Sequence, residues 1–230
     1  MQNQIFLLLL LSLGTSSLFA QSYDYPVLYR SQFNSATAKN DFTFTDPSAW
    51  RINTQAGTLE LFGKSQYQPR VRSPRNIALY TKEKVGSFVL MADVKQTGRE
   101  YGHRDMCFFF GAKDASNFYY IHVATKADQN AHNIFLVNDE ARRNIADTTT
   151  EGVDWGSDWH RIKIIRDIDA GTIEVYFDDM QQAIMTAQDK HFDYGYVGFG
   201  SFDDTGMVDN VVLQGKVMPT YLEQGFFPKN

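Results

Sequence analysis

Short apolar runs rich in β-branched and aromatic residues recur along the chain past Asp41, separated by Gly, Asp, Asn or Pro. They stand at 58–62 (TLELF), 77–81 (IALYT), 87–95 (SFVLMADVK), 105–112 (DMCFFFGA), 117–124 (NFYYIHVA) and 133–138 (NIFLVN). Further runs occupy 159–167 (WHRIKIIRD), 172–177 (TIEVYF), 196–202 (YVGFGSF) and 208–215 (VDNVVLQG). Several alternate strictly, as His160, Ile162 and Ile164 do against Arg161, Lys163 and Ile165. Alternation of this kind predicts strands with one buried face, and the spacing of the runs predicts an all-β, antiparallel β-sandwich. No sustained helical period competes with it. The best helical candidate, 139–146, reads as a loop carrying a turn of helix. The strings DIDAG at 167–171 and FDDM at 177–180 predict two tight reversals.

The first twenty residues break the pattern. They run from the start methionine through an apolar stretch, Ile5 to Leu13, to small and polar residues ending at Ala20. This is the layout of a secretory leader with cleavage before Gln21, and its apolar core is too short for a membrane-spanning helix. The expectation is therefore an exported chain, periplasmic or extracellular, with residues 1–20 as signal peptide and 21–230 as a single domain. No cysteine stands at the cleavage region, so a lipid anchor carried by one is not expected. The leader holds no Lys, Arg, Asp or Glu, so the remainder keeps the formal charge of -5. Nothing in that balance favours nucleic acid or an anionic membrane. The aromatic content of 14% supports one large core. The single cysteine, Cys107, falls in an apolar run and reads as a small core residue, without a partner for an internal disulfide.

Four strings resemble those of one fold family. Trp159-His160-Arg161-Ile162-Lys163 precedes a hairpin with Gly171-Thr172-Ile173-Glu174-Val175-Tyr176-Phe177-Asp178. Gly195-Tyr196-Val197-Gly198-Phe199 and Asp209-Asn210-Val211 follow. Together they resemble jelly-roll domains of the concanavalin A-like lectin and glucanase type over roughly 50–215. Phe118-Tyr119-Tyr120-Ile121-His122 and Ala131-His132-Asn133 look most like secreted bacterial domains grouped as glycosyl hydrolases or 3-keto-disaccharide hydrolases. The resemblance implies a jelly roll and a ligand among oligosaccharides or polysaccharides, met outside the cytoplasm. It marks fold more sharply than activity.

Candidate chemistry concentrates on the run through His122. Alternation places Tyr120, His122 and Ala124 on one face and Tyr119, Ile121 and Val123 on the core face, so the first set is expected to face a polar groove. There His122 and Tyr120 could serve as general base and acid, with His132 nearby, or they could form a hydrogen-bonded polar patch. Arg70 and Arg72 form an Arg-x-Arg pair suited to gripping a carboxylate or sulfate, or else stand solvated. The polar loops at 98–105 and 128–133 contribute His103, Arg104 and Asn133 as substrate-binding candidates. The Arg-x-Arg, Tyr-Ile-His and Val-Tyr-Phe-Asp order is also loosely similar to jelly-roll polysaccharide lyases. This chain departs from them in having Tyr120 where those enzymes carry Gln.

The paired carboxylates of ordinary glycoside hydrolysis are not legible, and no Glu-x-Asp-x-x-Glu string occurs. Asp203, Asp204, Asp209 and Asn210 offer hard oxygens suited to calcium, or simply cap turns. The family resemblance singles out Asp209 as a structural Ca2+ ligand. The five histidines lack the local spacing of a zinc site. The leading expectation is a secreted carbohydrate-active protein working on an oligosaccharide or a modified, 3-keto type glycoside. The alternatives are a non-catalytic carbohydrate-binding module, a His/Tyr lyase, and a structural surface domain.

Overall fold

The computed structural model describes residues 23–219 and Phe227, so the leader expected at residues 1–20 and its cleavage point lie outside the described residues. Fifteen strands follow in order: β1 (Val27–Ser31), β2 (Phe42–Phe44), β3 (Trp50–Asn53), β4 (Thr58–Leu61) and β5 (Asn76–Gln96). Next come β6 (Asp105–Asp114), β7 (Asn117–Ala124), β8 (Asn133–Asn138), β9 (Arg143–Asn144) and β10 (Ala146–Thr149). The last are β11 (His160–Asp167), β12 (Thr172–Phe177), β13 (Ala183–Gln188), β14 (Gly195–Ser201) and β15 (Gly206–Met218). Two short 3-10 turns complete the described elements, and no helix among them is long and apolar enough to cross a membrane.

β5 shapes the molecule because it belongs to two layers. Its first residues, Asn76 to Tyr80, pair with β14 and, through Ala78 to Tyr80, with β2, while Phe88 to Val94 pairs with β11 and with β15. One layer runs β2-β5-β14-β6-β7-β8-β9 and the other β10-β13-β12-β11-β5-β15, with β4 and β1 on the far side of β15. All pairings are antiparallel. The main core lies between the layers. Phe108, Phe110, Ile121 and Phe199 meet Leu90, Ile164, Val175 and Leu213 there. The alternation of β11 is honoured, with Ile162 and Ile164 buried and Arg161 exposed.

The four strings of the jelly-roll resemblance turn out to be joints of this scaffold. The His160 ring stacks on Phe177 at 4.7 Å, with Nδ1 2.7 Å from Asp178 Oδ2 and Nε2 2.8 Å from the Trp155 carbonyl. Asp178, at φ 57, donates its amide to the Arg161 carbonyl and accepts the Arg161 amide, closing the reversal after β12. Asn210 bonds Asp93, whose two oxygens also accept Arg161 in a bidentate pair at 2.7 and 2.8 Å. In β14, Gly198 and Gly200 lie so close to β5 that a Cβ would stand 2.2 Å from the Ala78 carbonyl oxygen and 1.9 Å from that of Asn76. Gly200→Ala is therefore expected to cost about 1–3 kcal/mol by forcing the two strands apart. Thermal melting checks it, and an unchanged Tm would mean the strands do not pack this closely.

Two expectations are corrected. The 139–146 segment holds no turn of helix: β9 pairs with β8 and β10 with β13, so the stretch continues the sheets. The face of β7 that carries Tyr120 and His122 is not an open polar groove. Tyr120 and Ala124 are fully buried and His122 is 3% exposed. The neighbours on that face, Phe109, Phe118 and Phe135, form a second apolar cluster, against which Val71 packs from the irregular segment between β4 and β5. The outer face of this layer is thus roofed along most of its length.

Candidate functional site

The roof opens at one end of β6 and β7. There Arg72, Tyr101, His103, His122, Asn130, Arg142, Phe202 and Asp203 enclose a pocket of 230 Å3. Its floor is set by strand register. Cys107 lies directly opposite His122, and Asp105 sits two residues before Cys107 on the same face. Asp105 is fully buried and gathers four donors: Ser201 Oγ at 2.7 Å, the Phe202 amide at 3.0 Å, Cys107 Sγ at 3.0 Å, and His122 Nε2 at 3.2 Å. Burial pushes the Asp105 carboxyl up, but His122, Cys107 and the Phe202 amide outweigh it and hold the group below its ordinary value. The other ring nitrogen of His122, Nδ1, accepts the His132 amide at 3.3 Å. That bond assigns the ring proton to Nε2, aimed at Asp105.

The wall is built by Arg142. Its Nη1 donates to the Tyr120 hydroxyl at 2.6 Å and its Nη2 to the Asn130 carbonyl at 2.8 Å. The guanidinium lies 4.7 Å from the ring centres of both Phe135 and Phe202. Arg72 stands 6.0 Å from the same Phe202 ring, and the Arg142 amide donates to the Arg72 carbonyl at 3.2 Å. At the rim, His103 Nε2 lies 2.6 Å from Asp128 Oδ2, and the Tyr101 hydroxyl donates to Asp204 Oδ2 at 2.8 Å. Burial and the adjacent Asp105 push the Asp204 carboxyl up to about 6, while burial and Asp204 push the Tyr101 phenol up.

Of the residues singled out in the sequence, Arg72, His103, His122 and Asp203 share this pocket. Tyr120 lies beneath it and reaches it through Arg142; burial pushes its phenol well above the ordinary range. His132 is fully buried behind His122, with Nδ1 accepting the Ala124 amide and Nε2 3.0 Å from Thr150 Oγ1. Asn133 ties the rim loop together, donating to the carbonyls of Asp128 and Ala131. Arg104 is buried and bonds Gln96 and the Gly156 carbonyl, lining a different cavity. Arg70 pairs with Asp139 on the exposed side of the neighbouring cavity. Asp209 lies in the other layer opposite Asp93, and burial raises its carboxyl. Arg142, Phe202 and Asp105 were not singled out. Asp105 carried a usable signal, being a lone carboxylate at the head of an apolar strand and in phase with Cys107.

Two groups among the described residues bring three metal-ligating atoms together: Asp105, Cys107 and His122, and Asp105, Asp203 and Asp204. The first is already a completed hydrogen-bond network on Asp105, with the thiol kept protonated by burial. The second is the set of hard oxygens nearest to a calcium cage, but Asp204 Oδ2 already accepts Tyr101 and the Asp105 amide. Asp209 belongs to neither group. A larger cavity of 710 Å3 lies on the other layer, lined by Arg161 and Asn210 among others. Asp93 takes up the Arg161 charge in a bidentate pair and also accepts Asn210, whose amide oxygen accepts Gln32.

No family model matches the sequence, and no curated protein matches it. Among solved structures, the chain is similar to a carbohydrate-binding module, CBM66, from Bacillus subtilis. That likeness has 18% identity over 76% of this chain and 96% of the other, with a TM-score of 0.57. A protein of unknown function with a galectin-like fold, also from Bacillus subtilis, aligns at 15% identity over 86% of this chain and all of its own, with a TM-score of 0.57. Lectin I-B4 from Griffonia simplicifolia, in its metal-free form, aligns at 14% identity over 80% of this chain and 98% of its own, with a TM-score of 0.52. These likenesses bear on the fold: the chain is an antiparallel β-sandwich of the jelly-roll type.

Proposed function

We propose that this chain is a carbohydrate-binding protein that receives a sugar in the pocket between Arg72, Arg142 and Phe202. With the leader expected at residues 1–20, the sugar is met outside the cytoplasm. The observation that carries the reading is the state of Arg142. Two aromatic rings, a phenol and a backbone carbonyl fix its guanidinium at the pocket wall, while its remaining N–H groups have no protein acceptor among the described residues. A held guanidinium with spare donors bonds hydroxyls at little entropic cost. Tyr101, Asn130 and Asp203 add further polar groups around the opening. The similarity of the fold to a carbohydrate-binding module and a lectin supports the same ligand class.

Binding is favoured over turnover because the groups needed for proton transfer are engaged. Both His122 ring nitrogens have protein partners, the Tyr120 oxygen accepts from Arg142, and His132 is sealed behind them. A general base needs a free lone pair to take a proton, and in this arrangement neither ring nitrogen of His122 is left without a protein partner. On a glycan array the chain is expected to retain ligands that mass spectrometry recovers intact. Conversion of a glycan that disappears in His122→Gln would overturn the binding reading. Arg142→Ala is expected to weaken binding at least tenfold, or about 1.4 kcal/mol, by isothermal titration calorimetry. Unchanged affinity would remove Arg142 from the site.

A further inference from the structure

We infer that the ligand of this site is an anionic glycan of at least two residues, bearing carboxylate or sulfate groups; this rests on the sugar-binding reading proposed above. The pocket of 230 Å3 does not stand alone. Arg72 and Phe202 also line an adjoining cavity of 520 Å3, walled by Arg70, Arg75 and the chain between them. The first cavity is smaller than the roughly 300–1,000 Å3 of ordinary ligand pockets, whereas the two joined at Arg72 and Phe202 fall within that range. Their connection suits a chain of sugars better than a single ring.

The charge of this strip runs against that of the molecule. The chain carries a formal net charge of -5, yet four arginines border the joined cavities. Arg70 is neutralised by Asp139. Arg72, Arg75 and Arg142 make no ion pair with a carboxylate among the described residues, although other arginines, such as Arg51 with Glu60 and Arg161 with Asp93, do so. Asp203 is the opposing carboxylate of the pocket wall, and His103 is already matched by Asp128. Three guanidiniums without a carboxylate partner thus border the two adjoining cavities, and an anion lying along them would supply that partner. Guanidinium is also the side-chain group whose planar fork matches carboxylate and sulfate oxygens, which neutral hydroxyls do not require. Phe202 lies 4.7 Å from Arg142 and 6.0 Å from Arg72, and the bonds of Arg142 hold its guanidinium in place before the ligand arrives.

The test is calorimetry on the intact chain at low ionic strength with four probes: neutral xylo-oligosaccharides, oligogalacturonate, a sulfated galactan oligosaccharide and poly-L-glutamate. Oligogalacturonate or the sulfated oligosaccharide is expected to bind at least tenfold more tightly than the neutral sugar and than polyglutamate, and to weaken as salt is raised. Arg72→Ala and Arg75→Ala should each lose about tenfold, and Arg75→Glu more, with thermal melts confirming that these exposed positions leave folding intact. Neutral sugars binding as tightly as acidic ones would overturn the anionic inference and leave the sugar site standing. Polyglutamate binding equally well would overturn both, since the strip would then be an anion clamp indifferent to sugar. Failure of every probe to bind would also overturn both.

Discussion

Asp105→Ala is expected to cost about 3–5 kcal/mol of folding free energy, the loss typical of removing one partner from a buried charged network. The reason is the number of groups that depend on one carboxylate. The Ser201 hydroxyl, the Phe202 amide, the His122 imidazole and the Cys107 thiol all converge on it, and the side chain is fully buried. Alanine leaves three strong donors without acceptors inside the layer, each carrying its own desolvation penalty, and adds a cavity. Asn is no rescue, because its amide hydrogens would face donors. Against a total stability of about 5–15 kcal/mol, this is a large fraction. Cys107→Ala is the contrast. It removes a weak donor from the same carboxylate and should cost much less. Urea denaturation followed by circular dichroism measures both. If Asp105→Ala proved no more damaging than Cys107→Ala, the network would not be formed as described.

The same substitution should disturb the pocket. Phe202, the ring shared by Arg72 and Arg142, is anchored through its amide to Asp105. His122, on the pocket floor, is anchored to it through Nε2. The site is thus assembled around one buried acid from β6, β7 and β14 and from the five loops that carry Arg72, Tyr101 with His103, Asn130, Arg142, and Phe202 with Asp203.

How much of this could be read from the sequence depended on where the information resides. The runs of β11 and β12 were legible because each alternates within itself, and those of β6 and β7 because strands buried on both faces are near-continuous apolar and aromatic runs. β9 and β10 were not, since Arg143-Asn144 and 146–149 are polar and owe their pairing to β8 and β13. β5 read as two strands because the polar stretch 81–84 interrupts it, although the backbone passes through that stretch from one layer to the other. Alternation assigned Tyr120 and His122 to the correct face. Whether that face met water depended on Val71 and its neighbours, forty and more residues away in the chain. Arg142 was hidden for a similar reason. In the sequence it is one charge in a polar loop, and its meaning comes from Phe135, Phe202 and Tyr120 closing around it.

Acidification should destabilise the protein through His132, and the direction follows from which state holds the proton. Burial pushes the folded His132 pKa from 6.5 down to about 4, and the nearby His122 adds to the effect. An unfolded chain takes up a proton on this histidine near pH 6.5 while the folded one stays neutral, so between about 6.5 and about 4 the unfolded state binds more protons. Stability contributed by neutral His132 is therefore full above that window, falls as the pH is lowered through it, and is lost below. The shift corresponds to roughly 3 kcal/mol. Asp204 works in the opposite sense, because a carboxyl pushed up to about 6 keeps its proton in the folded state and gains stability as the pH falls. Its contribution is common to the wild type and to a variant altered only at His132. His132→Asn makes the comparison clean: His132 sits at φ 53, a conformation asparagine tolerates, and the amide oxygen can accept the Ala124 amide in place of Nδ1. Urea denaturation at pH about 7, 5 and 4 should show the wild type losing up to about 3 kcal/mol more than the variant over that range. Parallel losses in the two proteins would mean that His132 titrates in the folded state as it does in water, and that the layer behind the pocket is open to solvent.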